Sequence, residues 1–99
     1  MARFDVYRTK LGELLLDCQT DFLSGIRTRL VAPLLPAEEV EPHRMARLMP
    51  AFSFGGRNVV MVTTLLVGLS QRELGERIGS LADEQDAIMA AIDMLLTGI

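Results

Sequence analysis

The sequence predicts a mainly β domain that ends in one α-helix, on three observations. Short apolar segments of strand length recur between turn residues through the first two thirds of the chain. A Gly55-Gly56 pair separates two of them, as a tight hairpin turn requires. From Ser80 onward the apolar spacing becomes helical.

Taken in order, Phe4-Asp5-Val6-Tyr7 begins in alternation, and Leu14 to Cys18 follows a polar connection containing Gly12, which reads as two adjacent strands. Leucine is a weak strand former, but the brevity of the second segment favours strand over helix. Asp21 to Arg29 holds Ser24-Gly25 and reads as a turn or irregular excursion. Leu30 to Pro36 is extended, because Pro33 and Pro36 each restrict the residue before them. Pro33 lacks an amide proton and is expected at a sheet edge or bulge. Ala37 to Arg47 is a short helical turn or a plain loop. Ala51–Phe54 and Arg57–Val62 form the clearest hairpin, with Thr63 and Thr64 continuing a β-prone run towards Leu69. Gln71 to Ile78 supplies a further strand or a surface turn. Ser80-x-x-Asp83 resembles a capping box, Glu84 and Asp86 suit a helix start, and Ile88, Ala91, Ile92 and Leu95 form one stripe before the stop at Gly98.

Ninety-nine residues, 49% of them hydrophobic, suggest one domain over residues 1–99 and a packed globule. A chain this short buries proportionately little surface, so dimerisation is expected, with Val59 to Leu69 or the adjoining helix in the seam. The net charge of −3 and the single lysine, Lys10, argue against a sequence-independent grip on phosphate backbones. The lone Cys18 forms no internal disulfide and reads as a small buried hydrophobe. The start has no apolar leader pattern, and Val59–Leu69 is far shorter than the roughly 20 residues of a membrane span. A cytoplasmic protein without a membrane partner is expected.

Chemistry leaves few candidates. His43 is the only histidine and has no identified partner. Glu38, Glu39 and Glu41, or Asp83, Glu84 and Asp86, lack the spacing of a calcium loop, and no histidine or cysteine cluster offers a metal site. Thr63-Thr64 has no evident activating base. Neither a cofactor nor a metal is expected, and no residue is assigned a catalytic role. The aliphatic ending Leu95-Leu96-Thr97-Gly98-Ile99 is open to two readings, with Ile99 docked into the core or presented to a partner.

The FxVY element at Phe4, Val6 and Tyr7, the Asp17-x-Gln19-x-Asp21 stretch, the Val31–Leu34 run, Met61-x-Thr63-Thr64 and the terminal helix ending in Gly98-Ile99 together resemble the CcdB family, toxins of CcdA/CcdB toxin–antitoxin systems. The resemblance runs over nearly the whole chain. It implies an antiparallel sheet with a C-terminal helix, related to the SH3-like barrel of the MazF and Kid toxins, and a homodimer. It also implies a non-enzymatic poison that binds the A subunit of DNA gyrase and traps the cleavage complex. A CcdA-like antitoxin would neutralise it, and operator DNA would be met only through the antitoxin complex.

By that resemblance the gyrase-binding positions are Phe22, Leu23, Asp93, Leu96, Thr97, Gly98 and Ile99, which favours Ile99 facing a partner. The family's Trp-Gly-Ile ending is Thr97-Gly98-Ile99 here, Asp93 stands for an asparagine and Leu96 for an aromatic residue. An acidic antitoxin segment is expected near the first hairpin at Arg27 and Arg29. Two alternatives remain: a MazF-like endoribonuclease using Arg27, Arg29 and His43, and a degenerate homologue that retains antitoxin binding only.

Overall fold

The computed structural model describes residues 2–23, 25–40 and 46–98. Among them are seven strands and one α-helix: β1 (Asp5–Arg8), β2 (Leu14–Asp17), β3 (Thr28–Pro36), β4 (Ala51–Phe54), β5 (Arg57–Met61), β6 (Val67–Ser70), β7 (Glu76–Ser80) and α1 (Gln85–Thr97). Every pairing is antiparallel, in the order β4-β5-β3-β2-β1-β7, with β6 also paired to β3. The mainly β class with a terminal helix is the architecture observed.

Alternation along the strands gives each face of the sheet its own core. Val6, Leu16, Ala32 and Leu34 point to one face and pack with Phe52, Met61 and the helical Ile88 and Ile92. Their neighbours Tyr7, Leu15 and Val31 point to the other, where Leu74 and Leu69 cover them. The sheet curls, so that the ring of Phe54 on one edge strand lies against Gly79 on the other.

Both hairpins form where the turn residues place them. Gly55 and Gly56 adopt φ of 60° and 80°, the paired left-handed conformations of a two-residue turn, between partners Phe54 and Arg57. Phe4 is the one non-glycine with positive φ among the described residues, at 71°. Its amide donates to the Asp17 carbonyl (2.6 Å) and its carbonyl accepts from Leu81 (2.8 Å). These bonds and a buried ring hold a conformation that an aromatic residue rarely adopts.

Several expectations are corrected. Pro33 lies not at an edge but in β3, an interior strand. β3 pairs with β6 through Thr28–Val31 and with β5 through Leu34–Pro36, so Ala32 and Pro33 face the gap between those partners. The Pro33 carbonyl accepts from Val62 on that side (2.9 Å), and the missing amide proton falls at the same interruption, where no ladder bond is lost. The run towards Leu69 is broken by a 3₁₀ turn at Thr63–Leu65, which swings the chain across to start β6. The capping box does not form: Ser80 Oγ accepts from Ala82 (3.1 Å), a 3₁₀ turn spans Ala82–Glu84, and α1 begins at Gln85 without a side-chain cap. Gln71 to Ile78 is both things at once, a 3₁₀ turn at Gln71–Glu73 followed by β7.

No helix among the described residues is long and apolar enough to cross a membrane.

Candidate functional site

The β1–β2 and β4–β5 hairpins face each other across a groove of about 870 Å3. Leu14, Pro33, Leu35 and Ile78 give it apolar lining. Arg8 and Glu13 reach its rim from the first hairpin, and Arg57 and Asn58 from the second. Glu38 and Glu39 add carboxylates from the turn after β3. The Arg8 side chain is half-exposed and only loosely paired with Glu76, at 3.9 Å, so it is free to turn to a ligand. Guanidinium groups that hold an anion beside carboxylates that move a proton are what acid–base chemistry on a phosphodiester needs. None of Arg8, Glu13, Arg57 or Asn58 was singled out from sequence. Each flanks a hairpin connection, which is a visible signal, but their meeting across one groove depends on strand order.

A second surface gathers Phe22 and Leu23 with the helix. They lie on a 3₁₀ turn, Asp21–Leu23, and Phe22 is 97% exposed. Arg3 ties this turn to α1: its amide donates to Asp21 Oδ1 (2.8 Å) and its Nη2 donates to Met89 Sδ (3.0 Å), one turn before Asp93. Its guanidinium also lies 4.9 Å from the centroid of the Phe4 ring. On the helix, Asp93 and Thr97 are exposed and Leu96 is 72% exposed. The Thr97 hydroxyl donates to the Asp93 carbonyl (2.7 Å), and Gly98, at φ 76°, donates to Met94 (2.9 Å) as the helix ends. Ile99 lies outside the described residues.

The two arginines expected at an antitoxin surface separate. Arg27 is exposed, and its carbonyl accepts from Gln71 (2.9 Å). Arg29 is fully buried and corrected to a structural role: its Nη2 and Nε meet Asp17 Oδ2 at 2.7 and 2.8 Å. Burial pushes the Asp17 carboxyl above the ordinary carboxylate range, and the Arg29 hydrogen bond and the Gln19 amide pull it part of the way back. Burial likewise raises the Tyr7 hydroxyl, with Asp5 and Asp17 adding to the effect. With Arg29 enclosed, it does not converge with Arg27 on one groove, and His43 lies outside the described residues.

The Asp17-x-Gln19-x-Asp21 stretch proves to be scaffold. Gln19 Nε2 donates to the Leu23 carbonyl (3.2 Å) while its Oε1 accepts from Leu30 (3.1 Å), and Asp21 anchors Arg3. Cys18 is enclosed, and burial pushes its thiol up to about 12. Among the described residues no cluster of three metal-ligating side chains occurs.

A curled antiparallel sheet with one C-terminal helix is the CcdB/MazF type of fold, and with the family match it places the chain among the small toxins of that superfamily. The family model described as CcdB protein matches residues 3–98, and the chain belongs to that family. A solved chain described as an endoribonuclease from Mycobacterial species is similar in fold, with a TM-score of 0.74 and 17% identity over 97% of this chain and 90% of its own. That match corrects the expectation of a non-enzymatic protein, because the fold traced by nearly the whole chain is also that of an endoribonuclease.

Proposed function

We propose that this chain is a toxin of its superfamily that cleaves RNA in the groove between the two hairpins. The observation that carries the reading is that Arg8 and Glu13 from one hairpin and Arg57 and Asn58 from the other line a single groove. In this reading Glu13 takes the proton of a ribose 2′-hydroxyl as its oxygen attacks the adjacent phosphorus. Arg8 and Arg57 hold the charge that builds on the phosphoryl oxygens, and the 5′-oxygen leaves as its bond to phosphorus breaks, taking a proton from water. The products are a 2′,3′-cyclic phosphate and a 5′-hydroxyl. The superfamily likeness to an endoribonuclease supports the choice of RNA. Incubation of the purified protein with single-stranded RNA, with end-group analysis of the fragments, tests it: intact RNA at micromolar protein removes the reading.

A second reading has its own observation. Phe22 and Leu96 are large apolar side chains left almost bare, on the turn and on the helix that Arg3 links. Such residues anchor protein interfaces. Membership of the CcdB family supports DNA gyrase, through its A subunit, in the role of partner for Phe22, Leu23, Asp93, Leu96, Thr97 and Gly98. A DNA-cleavage assay with gyrase tests it.

Further proposals follow from the resemblance: a homodimer, supported by the exposed Leu30, Leu65 and Val67, and a CcdA-like antitoxin whose acidic segment meets Arg27. Sedimentation equilibrium and peptide titration test these two.

A further inference from the structure

We propose that Thr9 is the positioning residue that sets Glu13 at the rim of the groove, an inference that rests on the ribonuclease reading. The β1–β2 connection has little burial to hold it: Lys10, Leu11, Gly12 and Glu13 are all exposed, Leu11 at 87%. Its shape is set by hydrogen bonds that converge on one residue. The Thr9 amide donates to the Glu13 carbonyl (2.9 Å), the Glu13 amide donates to Thr9 Oγ1 (3.2 Å), and the Gly12 amide donates to the Thr9 carbonyl (2.9 Å). Gly12, at φ 85°, lets the chain reverse within this ring.

Thr9 is itself held from below. Gly75, at φ 78°, lies so close to β1 that a Cβ there would run into the Arg8 carbonyl oxygen and approach Thr9 Cα at 2.9 Å. The connection between β6 and β7 therefore forms a backbone floor under Arg8 and Thr9. Of the bonds that fix Glu13, only the one to Oγ1 comes from a side chain, so it alone depends on the residue type at position 9. A general base must lie within hydrogen-bond reach of the proton it removes, and a misplacement of about 1 Å costs up to about a hundredfold in rate.

The test measures cleavage of a quenched fluorescent single-stranded RNA oligonucleotide by wild type, Thr9→Val, Thr9→Ser and Glu13→Gln. Thr9→Val keeps the shape and removes the acceptor; Thr9→Ser keeps the acceptor. The expected result is a loss of at least about tenfold in kcat for Thr9→Val at unchanged KM, recovery to within about twofold in Thr9→Ser, and loss of nearly all activity in Glu13→Gln. Wild-type kcat in Thr9→Val beside a dead Glu13→Gln overturns the role of Thr9 and leaves the ribonuclease reading standing. A fall in Thr9→Val that Thr9→Ser does not restore also overturns it. Full activity in Glu13→Gln overturns the assignment of Glu13, and the positioning role falls with it.

Discussion

Phe54 and Gly79 belong to opposite edges of the sheet, and the ring of one fills the space beside the other. A Cβ built on Gly79 would stand 2.7 Å from Phe54 Cζ and 2.8 Å from Cε1. A methyl group at position 79 would therefore force the Phe54 ring or the edge strand to shift. Phe54 and Ile78, the neighbour of Gly79, also line the groove, so the closure that shapes the barrel shapes the candidate site.

Gly79→Ala is therefore expected to destabilise the fold by about 1–3 kcal/mol through overpacking, and Phe54→Leu in the same chain should return part of the loss. Urea unfolding of wild type, both single variants and the double variant gives the coupling. Additive single effects would show that ring and glycine do not share the same space.

The buried Asp17–Arg29 pair yields a second expectation. Removing the cation alone, as in Arg29→Met, leaves the buried Asp17 carboxylate without the guanidinium that offsets its desolvation. A cost of about 3–5 kcal/mol is expected, whereas Asp17→Leu with Arg29→Met should be close to neutral or stabilising. The pH dependence has a definite sign. The folded-state pKa of Asp17 is raised, so the stability this group contributes is present below its unfolded value and is lost as pH rises through the folded value. The stability of the double variant relative to wild type should accordingly rise as pH climbs above the ordinary aspartate range. A difference that is flat with pH would show that Asp17 ionises normally inside the fold.

Sequence and structure agree most closely where the deciding interaction is local. The Gly55-Gly56 turn, the alternation of Val6 with Tyr7, and the stripe of Ile88, Ala91 and Ile92 each depend on neighbours within one turn or strand. Pro33 shows where local reading stops. That a proline lacks an amide is a property of the residue, but that an interior strand changes partners beside it belongs to the whole sheet. Arg29 fails as a surface residue for a similar reason. Arginines are usually exposed, and only the β2–β3 register, which sets Asp17 opposite Val31, brings the carboxylate within reach of it. The groove is the most global feature of all, since Glu13 and Asn58 line it from hairpins distant in sequence.

Cys18 offers a prediction about reactivity. The thiolate is the nucleophilic form, and burial pushes this thiol up to about 12, so almost none is ionised at pH 8. The native protein is expected to resist an aromatic disulfide reagent at pH 8 and to react completely once unfolded in guanidinium. Rapid labelling of the native state would show that the segment around Cys18 opens readily.

The last prediction separates the two candidate surfaces. Phe22 and Leu96 make few contacts to lose, so Phe22→Ser and Leu96→Ser should change stability by no more than about 0.5 kcal/mol. Glu13 is exposed as well, and Glu13→Gln should be equally mild. Thermal unfolding of the three variants checks this before any functional comparison. Each variant is then tested for cleavage of single-stranded RNA and for stabilisation of gyrase-dependent DNA breaks. The expected pattern is that Glu13→Gln abolishes the first and leaves the second at its wild-type level, while Phe22→Ser and Leu96→Ser do the reverse. Salt adds an independent check on the groove. With Arg8 and Arg57 as its cations, RNA binding should weaken with a slope of only about 1 to 2 in the logarithmic plot of affinity against salt. A much steeper slope would place the RNA on some other face, and loss of RNA cleavage in Leu96→Ser would move that activity to the helix end.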